Sequence, residues 1–158
     1  LNFGGRAEEA MRFYEGILGG TLTEVHRFGS MPEDSGFPLS DAQKDLVMHV
    51  GLELPDGQMI MASDRLEGMG PEPIEGNNFS LSVHPTSREE ADRIFHALAD
   101  GGRVDMPLAD QFWGDRYGVI QDPFGHKWSV ATHVKDLTVE EIKAAMPDMS
   151  GCGSGTSE

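Results

Sequence analysis

The sequence contains an internal repeat, and this repeat constrains the fold more than any other feature. Two segments, residues 8–18 and 89–98, begin with Glu-Glu-Ala and carry apolar residues at the spacing of an amphipathic helix. Each is followed by a Gly-Gly pair, at residues 19–20 and 101–102, and glycine suits the left-handed residue that ends a helix. Because helices and glycines recur in nearly the same register, the chain is predicted to consist of two similar halves.

The segments around the two helices are also alike. A short β-like segment precedes each helix, at residues 1–3 and 79–84. Three β-rich runs separated by turn residues follow each helix, and they span residues 21–28, 46–54, 58–63, 103–106, 113–121 and 127–133. Each half is therefore predicted to be β-α-β-β-β, and the fold class to be α+β with two tandem modules of this kind.

Changes in composition indicate the boundaries between the parts of the chain. A Gly- and Pro-rich segment separates the halves, and Thr138 followed by Glu141 is typical of a capping box that begins a helix. The predicted parts are a first module at residues 1–66, a linker at 67–77, a second module at 78–135, a C-terminal helix at 136–147 and a disordered tail at 148–158, within one compact domain. Residues 29–45 form a long loop, which is either a lid over a binding site or a mobile insertion.

Charge and composition exclude several classes of function. The 158 residues include 27 acidic and 12 basic side chains, for a formal net charge of −15. Nucleic acids and anionic membranes bind basic surfaces, so we expect neither as a partner. The chain has no apolar run long enough for a transmembrane helix, residues 1–20 lack the order of a signal peptide, and the single cysteine forms no internal disulfide. We therefore expect a cytoplasmic protein.

Six blocks of sequence carry a resemblance to a known family. These blocks are residues 1–5, 9–14, 48–54, 60–64, 113–118 and 122–128. In this order they resemble the PhnB-like branch of the vicinal oxygen chelate superfamily, which includes glyoxalase, bleomycin resistance proteins and dioxygenases. The resemblance implies two curved mixed sheets around a cavity that binds a small-molecule ligand, and a homodimer. The branch has also carried a methyltransferase label, which the residues do not support because no Gly-rich nucleotide-binding turn is evident.

The resemblance also implies where a divalent metal would bind. Family members that use a metal take its ligands from the first and last strands of each module. Three of those positions fall at Met61, Asn78 and Ser129 in this sequence. Such neutral side chains are poor ligands for a divalent ion, so we expect no metal cofactor. A divalent metal held by nonstandard ligands is the alternative.

Alternation along the predicted strands selects candidate ligand-binding residues. Ser82 and His84 share the polar face of the fifth strand, and Ser129 and His133 share one face of the last strand. His49 lies on the third strand of the first module. With the resemblance, these polar faces are predicted to line the cavity.

A polar and aromatic block in the last hairpin adds two candidates. Trp113 and Arg116 would supply an aromatic wall and a guanidinium, which suit a small planar or anionic ligand. The competing interpretation is structural: Asp115 and Arg116 would form a surface ion pair beside a core tryptophan.

Three functions remain open on these observations. The first is a PhnB-like protein that binds a small organic ligand between its sheets and has lost the usual metal site. The second is a divalent-metal-dependent lyase, dioxygenase or group-transfer enzyme that uses His49, His84 or His133 as ligands. The third is a dimeric interaction module whose cavity is filled by its own side chains.

Overall fold

The computed structural model of the chain describes residues 1–32, 38–68 and 76–147. The predicted tail at 148–158 lies outside these residues, as do parts of the predicted linker and of the predicted long loop. Within the described part of the chain, no helix combines the length and the apolar character needed to cross a membrane.

The first half forms a five-stranded sheet with one long helix. Its elements are β1 (Asn2–Phe3), α1 (Ala7–Leu18), β2 (Thr21–Leu22), β3 (His26–Arg27), a 3-10 turn (Phe28–Ser30), α2 (Asp41–Lys44), β4 (Val47–Glu53) and β5 (Met59–Asp64). The strand order is β1-β5-β4-β2, and β3 also pairs with β4. The sheet is mixed, because β1 runs parallel to β5 and the other pairs are antiparallel.

The second half repeats this plan with four strands. Its elements are β6 (Leu81–Val83), α3 (Arg88–Ala99), β7 (Arg103–Asp110), β8 (Asp115–Gln121) and β9 (Lys127–His133), and the short helix α4 (Val139–Ala145) follows. The strand order is β6-β9-β8-β7, with β6 parallel to β9. The predicted α+β class, with two β-α-β-β-β units and two mixed sheets, is confirmed.

The predicted strand at residues 21–28 is interrupted in the structure. The Thr23 hydroxyl accepts the N–H of Gly51 at 2.8 Å, which a continuous ladder would pair with a backbone carbonyl. The pairing resumes at His26, where the register with β4 shifts. A side chain has replaced a backbone partner, so two short strands, β2 and β3, stand where one was predicted.

The glycine pairs that follow α1 and α3 allow the backbone after each helix to approach the backbone of a strand closely, in the same way in both halves. A Cβ atom on Gly20 would lie 2.2 Å from the carbonyl oxygen of Glu53, and one on Gly102 would lie 2.2 Å from that of Gln121. Neither site has room for a side chain, so each helix can turn back tightly onto its sheet.

One hydrophobic core joins the two halves. α1 packs on β4 and β5, α3 packs on β8 and β9, and the two helices contact each other. The buried cluster includes Tyr14 from the first half and Trp128 from the second. Each sheet therefore has one face covered by a helix, and we call the opposite face its open face.

A buried carboxylate, Asp122, connects the halves through side chains. Its Oδ2 accepts the Tyr14 hydroxyl at 2.6 Å and the Trp128 indole N–H at 2.7 Å. Its Oδ1 accepts the N–H groups of Phe124 and His126, both at 2.9 Å. Burial and the nearby Asp122 carboxylate raise the pKa of the Tyr14 phenol, which therefore stays a hydrogen-bond donor.

Candidate functional site

Most of the candidate residues lie on the open face of the second sheet. In β9, Trp128 and Val130 are buried on the face that packs against α3. The intervening Ser129 and its ladder partner Ser82 point the other way, as the predicted alternation requires. The second open face includes Ser82, His84, Tyr117, Ser129 and His133.

Three of these side chains form a hydrogen-bonded chain across β6 and β9. The Ser129 hydroxyl donates to Oγ of Ser82 at 2.9 Å, and Oγ of Ser82 lies 3.1 Å from Nε2 of His84. Since the Ser82 hydroxyl accepts from Ser129, its own proton is available to a neutral His84 imidazole. Ser129 is only 7% exposed, whereas Ser82 and His84 are exposed. The chain therefore leads from the sheet to an accessible ring that can exchange hydrogen bonds with a bound molecule.

His133 lies at the far end of β9, between two carboxylates. Its Nδ1 is 3.0 Å from Oδ1 of Asp115, and its Nε2 is 3.1 Å from Oδ1 of Asp136. These hydrogen bonds, first with Asp115 and then with Asp136, raise the pKa of His133. Sequence reasoning missed Asp136, because it follows the strand in a segment with no periodicity that would place its side chain.

Trp113 lies beside the same face. Its ring meets that of Tyr117 edge-on, with centroids 5.9 Å apart, and Phe112 contacts it at 5.0 Å. Tyr117 is half-buried and pairs with Ala131 across the β8–β9 ladder. An aromatic pair therefore borders the second open face near His133, and either ring offers a flat surface to a ligand.

Arg116 is not brought together with the other candidates. It pairs in the ladder with the buried Thr132, so its side chain leaves β8 on the covered face. Its guanidinium lies 2.6 Å from Asp92 of α3 and 3.2 Å from Asp110 of β7. The interpretation of an ion pair with Asp115 is wrong, because neighbouring residues of a strand point to opposite faces and Asp115 contacts His133 instead.

His49 lies on the other sheet. Across the β4–β5 ladder, Gly51 faces Met61 and Glu53 faces Met59, and by alternation His49 shares that face. This first open face is apolar in part, since Met59 and Met61 are 46% and 55% exposed. The structure therefore divides the seven predicted residues among two open faces and one covered face.

The side chains at the family's metal positions do not match a metal. Ser129 is engaged with Ser82, and Met61 and Asn78 are exposed side chains without a carboxylate or imidazole. This donor set differs from the imidazole and carboxylate ligands that a borderline divalent ion takes in proteins. Among the described residues, no group of three or more His, Cys, Asp or Glu side chains could hold a metal ion.

A separate groove of about 530 Å³ runs along α4. Phe112, Leu137 and Ala144 form part of its apolar lining, and Arg88 and Lys135 supply charge. None of the seven predicted residues lines this groove. It is therefore a second place on the molecule where a small molecule could be retained, distinct from the second open face.

Proteins with related sequences and structures are found in several bacteria. A Pseudomonas aeruginosa protein, PA1353, has a crystal structure with a TM-score of 0.72 and 39% identity over 84% of this chain and 93% of its own. The PhnB protein from Bacillus cereus gives a TM-score of 0.66 and 28% identity over 84% and 95% of the two chains. An uncharacterized Mycobacterium bovis protein is 36% identical over 107 residues, which are 58% of this chain and 70% of that one.

A family model describes most of the chain. Its match runs over residues 3–130, from β1 into β9, and so covers most of both β-α-β-β-β units. The PhnB protein is similar to this chain in sequence and in structure, as the six sequence blocks predicted. The chain belongs to the Glyoxalase/Bleomycin resistance protein/Dioxygenase superfamily.

Proposed function

We propose that this protein binds a small organic ligand on the second open face, without the divalent metal used elsewhere in the superfamily. The observation that carries the proposal is the chain from Ser129 through Ser82 to His84, which presents hydroxyl and imidazole groups on an exposed sheet face. Polar side chains that hold one another in place by hydrogen bonds can recognise the polar groups of a ligand.

The same face indicates the class of ligand. Tyr117 and Trp113 offer ring surfaces on the β8 side of the face, and Ser82 and His84 offer hydrogen bonds on the β6 side. Small-molecule sites combine apolar walls with a few well-placed polar groups in this way. The ligand is therefore a small molecule with a planar or apolar body and a hydroxyl, carbonyl or carboxylate oxygen.

We propose further that the binding cavity is completed in a homodimer. Met59 and Met61 on the first open face are large apolar side chains exposed to water, and such patches mark interaction sites. If a second copy packed its first open face on the second open face of the first copy, the two faces would cover each other and exclude water. By two-fold symmetry it would form two equal cavities, and His49 of one copy would join the candidates of the other.

Fluorescence of Trp113 tests the ligand proposal directly. A library of small aromatic and aliphatic hydroxy and carboxylic acids is screened for changes in tryptophan emission, with Trp113→Phe identifying signals from this site. For each hit, Ser82→Ala should weaken binding about tenfold, the cost of losing one hydrogen bond to a polar ligand. Ser129→Ala should also weaken binding, because it removes the hydrogen bond that holds the Ser82 hydroxyl in place. Ser30→Ala, an exposed serine in the 3-10 turn, should have no effect.

Two results would overturn these proposals. Hits whose affinity is unchanged by Ser82→Ala and Ser129→Ala would place the ligand elsewhere, for example in the groove along α4. A stoichiometric metal in protein purified without chelator, lost on substitution of His84 or His133, would favour the metal-dependent enzyme instead. Light scattering of the parent chain and of Met61→Lys tests the dimer, which the introduced charge should dissociate; a parent that is monomeric at micromolar concentration would exclude it.

A further inference from the structure

We propose a bidentate transition-metal site formed by His26 and His49, separate from the family's metal positions and from the hydrogen-bonded chain of Ser82, His84 and Ser129. β3 and β4 run antiparallel, and His26 is the direct ladder partner of His49. Directly opposed residues of an antiparallel pair project from the same face, with Cβ atoms about 4.5–5.5 Å apart. Two imidazoles at this spacing can converge on one ion at the usual metal–nitrogen distance of about 2.0–2.1 Å.

Both rings are available for coordination. His26 and His49 are exposed, and within the described ranges neither imidazole ring takes part in a side-chain hydrogen bond or ion pair. The other histidines either have a hydrogen-bond partner for the ring or are partly buried. His84 contacts Ser82, Nδ1 of His96 lies 2.7 Å from the Asp92 carbonyl oxygen, and burial lowers the pKa of His126. In the described part of the chain, the β3–β4 ladder therefore places two histidines without side-chain partners directly opposite each other.

The chemistry of the pair defines the ion. Neutral imidazole nitrogen suits Ni²⁺, Cu²⁺ and Zn²⁺ and is a weak ligand for Mg²⁺ and Ca²⁺. With two protein ligands, the remaining coordination positions stay open to water or to a ligand of the protein. The net charge of −15 raises the local concentration of any cation.

The position also gives the site a structural consequence. β3 has two residues, and the register with β4 shifts between His26 and Arg27, so the pairing is short and irregular. A bound ion would connect β3 to β4 across this weak point. Metal binding should therefore stabilise the folded chain and protect the segment around β3 from hydrogen exchange.

Calorimetric titration with Ni²⁺ alone tests the proposal on untagged protein. The parent chain should bind about one ion, and both His26→Gln and His49→Gln should weaken binding at least about tenfold. His96→Gln, on α3, and Cys152→Ser serve as controls and should bind as the parent does. Equal binding by all variants, or dependence on only one of the two histidines, would overturn a bidentate site.

A second measurement uses the unaltered chain and so does not depend on how the variants fold. Paramagnetic Ni²⁺ should broaden the imidazole NMR signals of His26 and His49 first, at substoichiometric concentration, and leave those of His96 unaffected. Broadening that begins at His84 and His133 would overturn the proposal and indicate the nonstandard metal site of an enzyme. Failure of the ligand screen at the second open face would leave this result unchanged, so the two proposals are tested separately.

Discussion

The two halves of this molecule share a backbone plan but differ on their open faces. Both follow β-α-β-β-β. In both, a glycine after the helix lies so close to a strand that a Cβ atom added to it would be 2.2 Å from a strand carbonyl oxygen. The first open face carries Met59 and Met61, whereas the second carries Ser82 and Ser129 in a hydrogen-bonded chain. Core packing restricts the covered faces, and the open faces are free of that restriction. The repeat therefore preserves the scaffold, and the side chains on the open faces differ between its halves.

Buried carboxylates show a second difference between the halves. Asp64 acts within the first half, where its oxygens accept the N–H groups of Gly5, Ala7 and Val47 at 2.9 Å. Asp122 instead accepts a side chain from the other half, the Tyr14 hydroxyl. The first carboxylate organises one module, and the second also holds the two modules together.

Removal of these carboxylates should have the largest effect on stability. Asp122→Ala leaves two buried side-chain donors and two N–H groups without their acceptor, so we expect a loss of about 4 kcal/mol in the free energy of unfolding. Asp64→Ala, which affects one half only, should cost about 3 kcal/mol. Urea denaturation monitored by tryptophan fluorescence and circular dichroism measures both. A smaller effect at Asp122 than at Asp64 would contradict its role between the halves.

The glycines after the two helices should have the next largest effect. Gly20→Ala and Gly102→Ala each force a Cβ against a backbone carbonyl, and we expect about 2–3 kcal/mol of destabilisation. Gly20 should be the worse site, because its φ of 97° adds strain that Gly102 lacks. Gly16→Ala in α1 meets open space and should be neutral or slightly stabilising. Equal tolerance of alanine at all three positions in thermal denaturation would refute the close approach.

The hydroxyl that joins the halves can be removed on its own. Tyr14→Phe deletes the hydrogen bond to Asp122 and keeps the ring, so we expect a loss of about 2 kcal/mol. Tyr117→Phe is the matched control on the second open face and should change stability little. If the two variants unfold at the same denaturant concentration, the contact between Tyr14 and Asp122 does not stabilise the pairing of the halves.

The smallest effect should come from the pH dependence at His133. Because its pKa is raised in the folded state by Asp115 and Asp136, its stabilising contribution is full at low pH and is lost as pH rises through that pKa. The ring is exposed, so the change should be slight. Thermal denaturation of the parent and of His133→Gln between pH 5 and 9 measures this contribution. The difference in stability between the two proteins should shrink as the pH rises. A stability difference that grows as the pH rises would contradict a raised pKa for His133 in the folded state.

Much of the second open face was predictable because its strands are regular. Period-two alternation placed Ser82, Ser129 and His133 on one face, and the ladder confirms this. Arg116 could not be assigned a partner in the same way. Its guanidinium pairs with Asp92, on a helix that precedes it by 24 positions, and no local pattern encodes that contact. The predicted boundaries at 1–66, 67–77, 78–135, 136–147 and 148–158 remain predictions.

The sequence by itself determined the repeated elements, since helix periodicity, the capping box of Thr138 and Glu141, and the glycine pairs are local properties of the chain. Tertiary structure alone decided the pairing between distant segments. It placed His26 opposite His49, interrupted a strand at Thr23 and joined Tyr14 to Asp122. Ladder register and side-chain partners depend on long-range packing, in which a shift of one residue changes every contact, whereas element type depends on neighbours within a few residues.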